Sequence, residues 1–275
     1  MREARILMQN RDFVPSDKIE GTVVISSKST LSCDRVVITL HGEEHTRVIR
    51  GSRKHRRLYE EGREHICTIH ELSGPGRIDS AEIQFPFAFS LSEGCPSSYY
   101  GIHGWIRYNL KAQVEIPKGS PLEASEEVFV FSLGYPQAPK STSTSISEDD
   151  INLLNIELPN NTIILGQDLL VRILVPKHAE FRGVRAEILH REVVTPEGYE
   201  TDTRTAFSRW YTKKEDLQRE EWIDVTLKSS PNWPISFRSD LIRSQYLLKV
   251  TLDIPWRFDK SVEIPIQAIL QSMPR

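Results

Sequence analysis

The segment Arg47 to Arg57, Arg-Val-Ile-Arg-Gly-Ser-Arg-Lys-His-Arg-Arg, is the densest run of basic side chains in the sequence. Arg47, Arg50, Arg53, Lys54, Arg56 and Arg57 supply guanidinium forks and an ammonium, groups that hold carboxylate or phosphate oxygens and do not break bonds. Gly51 and Ser52 favour a turn and little here is apolar, so the segment is expected as a projecting loop or hairpin tip. The chemistry predicted for it is recognition of an acidic or phosphorylated protein segment, or of a lipid headgroup. Nucleic acid is not expected: Tyr59 is the nearest stacking aromatic, and the formal net charge is -3.

Other reactive side chains do not converge. In His65-Ile-Cys67-Thr-Ile-His70 an unbroken strand would put His65 and Cys67 on one face and His70 on the other, so no metal site is predicted. Glu43-Glu44 and Asp149-Asp150 are adjacent in sequence, and neighbours on a strand point apart. No nucleophile elbow, phosphate-binding glycine loop or metalloprotease spacing occurs. The expectation is a protein without enzymatic activity or cofactor, the enzymatic alternative being a hydrolase in a groove between domains. His41 and His190 sit in similar settings, Leu40-His-Gly-Glu43 and Leu189-His-Arg-Glu192, and read as duplicated structure. Cys33, Cys67 and Cys95 are odd in number and read as free thiols; with no signal-like leader and no long apolar span, a cytosolic location is expected.

The elements that must position these residues are strands. Tyr108 to Pro117 alternates apolar and polar without a break, and Tyr246 to Pro255 repeats the pattern with the same tyrosine, Leu-Lys pair and closing Ile-Pro. Each predicts a central core strand of about 30 Å. Short alternating runs separated by turn residues fill both halves, and the fold class expected is all-β, two immunoglobulin-like β-sandwiches in tandem. Phe85, Phe87 and Phe89 share one face, with Pro86 calling for an edge or a bulge. The one helical candidate is a short stretch around Lys213 to Glu221. The boundaries predicted are a first sandwich over 1–137, a linker over 138–150 containing Pro139, Ser141 to Ser145 and Glu148 to Asp150, and a second sandwich over 151–275.

Arg11-Asp-Phe-Val14, Asp34 to Leu40, Phe85 to Phe89, Pro96-Ser-Ser98 and the Ile106-x-Tyr108 strand resemble the arrestin N-terminal domain. Ile242 to Pro255 followed by Val262 to Ile266 resembles the C-terminal domain of arrestin-domain-containing proteins, the alpha-arrestins. The resemblance implies two concave sandwiches joined by a hinge, and a scaffold or adaptor that binds other proteins in transport or signalling. The implied partner is the cytosolic part of a membrane protein or an acidic, phosphorylated segment, which would bring this protein to membranes through that partner. The alternative is a structural subunit of a sorting or regulatory complex, like the arrestin-fold subunit of retromer or the sporulation-control proteins. Arg11 matches a basic residue that reads receptor phosphates, Asp12 an aspartate of a buried interdomain ionic cluster, and Arg47 to Arg57 the loop that engages the receptor. The arginine of that cluster has no counterpart, since the last strand of the first half reads Glu126-Glu-Val-Phe-Val130. The ionic switch is therefore not expected.

Overall fold

A computed structural model describes residues 2–52, 55–78, 81–134 and 140–272. Two compact units emerge: Met1–Ser132 together with Pro196–Tyr199, and Leu133–Thr195 together with Glu200–Arg275. The first contains β1 (Arg2–Leu7), β2 (Asp12–Phe13), β3 (Lys18–Ser27), β4 (Leu31–Cys33), β5 (Arg35–Arg50), β6 (Arg57–Ser73), β7 (Gly76–Ile78), β8 (Ala81–Ser90), β9 (Tyr99–Tyr100), β10 (Gly104–Glu115) and β11 (Leu122–Val130). One sheet runs β1-β3-β8 and the facing one β2-β11-β10-β5-β6, with β9 beside β10 and a small β4-β7 ladder apart. β8 is an edge strand, so Pro86 costs no ladder bond, while Phe87 and Phe89 point into the core.

The second unit contains β12 (Thr142–Glu148), β13 (Ile151–Leu158), β14 (Thr162–Ile164), β15 (Leu169–Leu174), β16 (Gly183–Val194), β17 (Thr201–Lys213), β18 (Ile223–Leu227), β19 (Phe237–Arg238), β20 (Ile242–Asp253) and β21 (Lys260–Ile269). Its sheets run β12-β13-β15-β18 and β14-β21-β20-β16-β17, with β19 on β20. The plan of the first unit is repeated down to one short parallel pair in each, β2 with β11 and β14 with β21. Among the described residues no helix is long and apolar enough to cross a membrane.

The repeated strands are central in both units. β10 lies between β11 and β5, and β20 between β21 and β16. Their tyrosines, Tyr108 and Tyr246, are 0% and 1% exposed. Each hydroxyl donates 2.7 Å to a proline carbonyl twelve residues back, Pro96 or Pro234, and burial pushes both phenols well above their ordinary range. Two residues beyond each proline a serine ties the same loop to the last strand. The Ser98 N–H donates to the Val130 carbonyl and the Ser98 hydroxyl accepts from the Val130 N–H; Ser236 and Ala268 do the same. Each buried ring thus clamps one loop onto the sandwich.

What lies against each ring differs. Tyr108 pairs with Gly42, where an added Cβ would come to 2.5 Å from the ring, so only glycine fits beneath it. Tyr246 pairs with His190, which is buried, stacks on Phe207 at 5.0 Å and approaches the Ser244 hydroxyl at 3.0 Å. His190 therefore corresponds to Gly42 and not to His41, one residue away from the sequence echo. The fully buried acids Glu44 and Glu192 are the true pair, opposite Ile106 and Ser244.

Three local expectations are revised. The Ser/Thr run placed in a linker is strand β12 from Thr142: Ile146 is buried, threonine suits the pleat, and Asp149 and Asp150 with φ of 47° and 63° make the two-residue turn into β13. Of the other linker residues, 138 and 139 lie outside the described residues. The helical candidate is a single 3-10 turn, Lys214–Asp216, because Leu217 alone supplies an apolar anchor there. In β6 a bulge beside Gly42 and Glu43 makes His65 the extra residue, so it approaches Glu44 at 3.5 Å while Cys67 stays exposed. No metal-binding group occurs among the described residues.

Tyr108→Phe and Tyr246→Phe are each expected to lower unfolding free energy by about 1–3 kcal/mol, since each removes the donor of a part-buried carbonyl; urea midpoints of the full chain measure it. Burial lowers the His190 pKa from 6.5 to about 4. Between these values the unfolded chain takes up a proton that the folded one refuses, so stability present above about pH 6.5 falls on acidification toward pH 4, by on the order of 3 kcal/mol. His190→Phe, which keeps the ring stack, is expected to flatten that slope in urea titrations run across the same pH window.

Candidate partner-binding surface

The basic segment is the far end of the β5–β6 hairpin. Register places Arg47 opposite Glu60, Val48 opposite Tyr59, Ile49 opposite Leu58 and Arg50 opposite Arg57. Val48 and Tyr59 are buried, whereas Ile49 and Leu58 are 56% and 42% exposed, forming an apolar cross-strand pair between cations. Gly51, at φ 93°, makes the turn: a Cβ there would come to 2.1 Å from the His55 carbonyl oxygen. The hairpin is pinned below by the Arg47 N–H donating 2.7 Å to the His103 carbonyl. Strand pairing thus sets Arg50 directly opposite Arg57, with Arg47 on the other face of the hairpin beside Ile49, and Arg56 is exposed next to Arg57. Arg53 and Lys54 lie outside the described residues.

Two of these cations have local engagements within the first unit. Arg57 sits 4.9 Å over the Tyr59 ring and 4.0 Å from Glu197, and Arg50 lies 5.8 Å from the Tyr199 ring. Such long contacts orient a guanidinium without burying it.

Arg11 is not part of this cluster. It is paired at 2.7 Å with Glu126, the strand where the resemblance leads one to look for an arginine. Asp12 lies in β2 beside Phe129, its backbone bonded to the Asn10 side chain, and its carboxylate makes no ion pair among the described residues. The Arg11–Glu126 pair is thus a local ion pair within the first unit, with the arginine side chain largely in water.

Beside the hairpin, on the solvent face of the same sheet, stands a stack that sequence reading missed. Arg107 lies 5.1 Å from the Tyr100 ring and 4.7 Å from the Trp105 ring, and Trp105 stacks on His45 at 5.2 Å. Tyr100 donates to Glu127, and its phenol is pushed up to about 12 by burial first and by that carboxylate second. His45 meets Glu60 at 2.9 Å and His41 meets Glu64 at 3.3 Å. The signal was present: Trp105 and Arg107 fall on the polar side of an alternating strand, where an aromatic is out of place unless it stacks. These ring contacts and ion pairs form a platform beside the cationic tip.

The arrangement can hold an anion. Residues 5–133 match the family model described as the arrestin (or S-antigen), N-terminal domain, a span that contains the hairpin, its platform and Arg11. The first lobe of this protein is therefore an arrestin N-terminal domain, and the second unit is a further immunoglobulin-like β-sandwich of the same plan.

Proposed function

We propose that the protein is a non-enzymatic adaptor whose β5–β6 hairpin holds an acidic or phosphorylated segment of a partner protein. The observation that carries this reading is the exposed end of the hairpin, where Arg50 pairs with Arg57 on one face and Arg47 shares the other with the exposed Ile49–Leu58 pair. The arrestin N-terminal match supports it, since proteins of that family are in general adaptors. Exposed cation–anion contacts contribute about 0.2–1 kcal/mol each. Four to six of them with one apolar contact reach only a few kcal/mol, which corresponds to dissociation constants from micromolar to millimolar. The hairpin then supplies reversible, salt-sensitive engagement, and a membrane protein's cytosolic segment is a fitting partner because its own anchoring raises the local concentration.

A fluorescent peptide of alternating phosphoserine and glutamate, titrated at 0.05 and 0.15 M salt, tests the reading. Wild type is expected to bind it more weakly at the higher salt. The variant Arg47→Glu, Arg50→Glu, Arg56→Glu, Arg57→Glu should lose at least tenfold in affinity with its melting temperature within about 2 °C of wild type, because exposed substitutions cost little stability. Equal affinity in the two proteins would remove the hairpin from the proposal.

A further inference from the structure

The loop joining β20 to β21 carries the most exposed aromatics described: Trp256 is 100% and Phe258 95% exposed, against 63% for the next large apolar side chains, Ile69 and Ile102. The base of the loop is anchored, since Ile254 is 6% exposed in the core of the second unit. Trp256 holds φ at 63°, a left-handed conformation that glycine adopts without strain and a bulky residue does not. A fold built for stability alone would place glycine here. Both the exposure and the backbone therefore favour a role for the indole outside the fold.

The charges around the loop specify what could cover it. Arg257 and Lys260 both turn onto Glu148, at 3.0 and 3.1 Å, and together hold that carboxyl below its usual range, Lys260 contributing most. Asp149, Asp150 and Asp259 are exposed next to these residues and make no ion pair among the described residues. The two aromatic side chains thus project from a rim whose cations are internally neutralised and whose remaining charge is acidic. An anionic bilayer would be repelled by that rim. A protein surface offering an apolar cleft flanked by lysine or arginine would be attracted, and tryptophan with phenylalanine is the kind of anchor that such clefts take.

We propose that the loop from Ile254 to Asp259 is a docking prong, with Trp256 and Phe258 as anchors, for a partner protein segment that is apolar and basic. This contact lies in the second unit and is independent of the hairpin reading. A random twelve-residue peptide library displayed on phage, panned on the full chain with subtraction on the Trp256→Gly, Phe258→Ser variant, is the test. Enrichment of peptides combining aliphatic or aromatic residues with net positive charge is expected. A labelled synthetic hit should bind at least tenfold more weakly to Trp256→Gly alone, whose melting temperature should equal or exceed that of wild type. Overturning results are no variant-sensitive enrichment, enrichment of acidic peptides, a Trp256→Gly protein less stable than wild type, or Trp256-dependent sedimentation with vesicles of phosphatidylcholine and phosphatidylserine, which would make the loop a lipid contact.

Discussion

A single buried hydrogen bond, made twice, organises this protein: a tyrosine hydroxyl from the central strand donating to the carbonyl of a proline twelve residues earlier. A phenol removed from water must find an acceptor, and a proline carbonyl in a loop needs a donor, so each satisfies the other only if strand and loop keep one register. Around that bond the serine bridges to the final strand fall into place, the short parallel pair closes the sheet, and the alternation of β10 and β20 is pinned with its apolar side inward.

Once the cores are held in common, what distinguishes the units is outside them. The first extends its longest hairpin beyond the sheet and loads the end with arginine. The second instead bears two exposed aromatics on the loop after its central strand. Even the neighbours of the tyrosines differ in a telling way. Gly42 lets Tyr108 lie flat on the strand, whereas His190 stacks into an aromatic cluster with Phe207 and Trp233 and carries a titratable group into the core. The duplicated plan keeps the hydroxyl and its acceptor in both units and differs in what lies beneath the ring.

Much of this was legible in the sequence, and the limits have physical causes. Period-two alternation with a matched tyrosine identified β10 and β20, and ordered motifs such as Arg11-Asp-Phe-Val14 pointed to the family. Register was not legible. The one-residue displacement between His41 and His190, and the bulge that turns His65 toward Glu44, depend on which partner strand lies alongside, which local pattern does not encode. Composition misled at Thr142 to Glu148, where a flexible-looking Ser/Thr run forms an edge strand held by Ile146. The exposed Trp256 and Phe258 were invisible for the opposite reason: in sequence an aromatic after Ile-Pro looks like core.

The central claim is that recognition resides on appendages while the tyrosine-clamped cores stay fixed. Amide hydrogen exchange of the full chain, followed segment by segment with and without a phosphoserine–glutamate peptide, addresses it directly. The account predicts slowest exchange in β10 and β20, unchanged by the peptide, with new protection confined to residues 47–57. Protection gained across the sheet faces, with none at the hairpin, would contradict it.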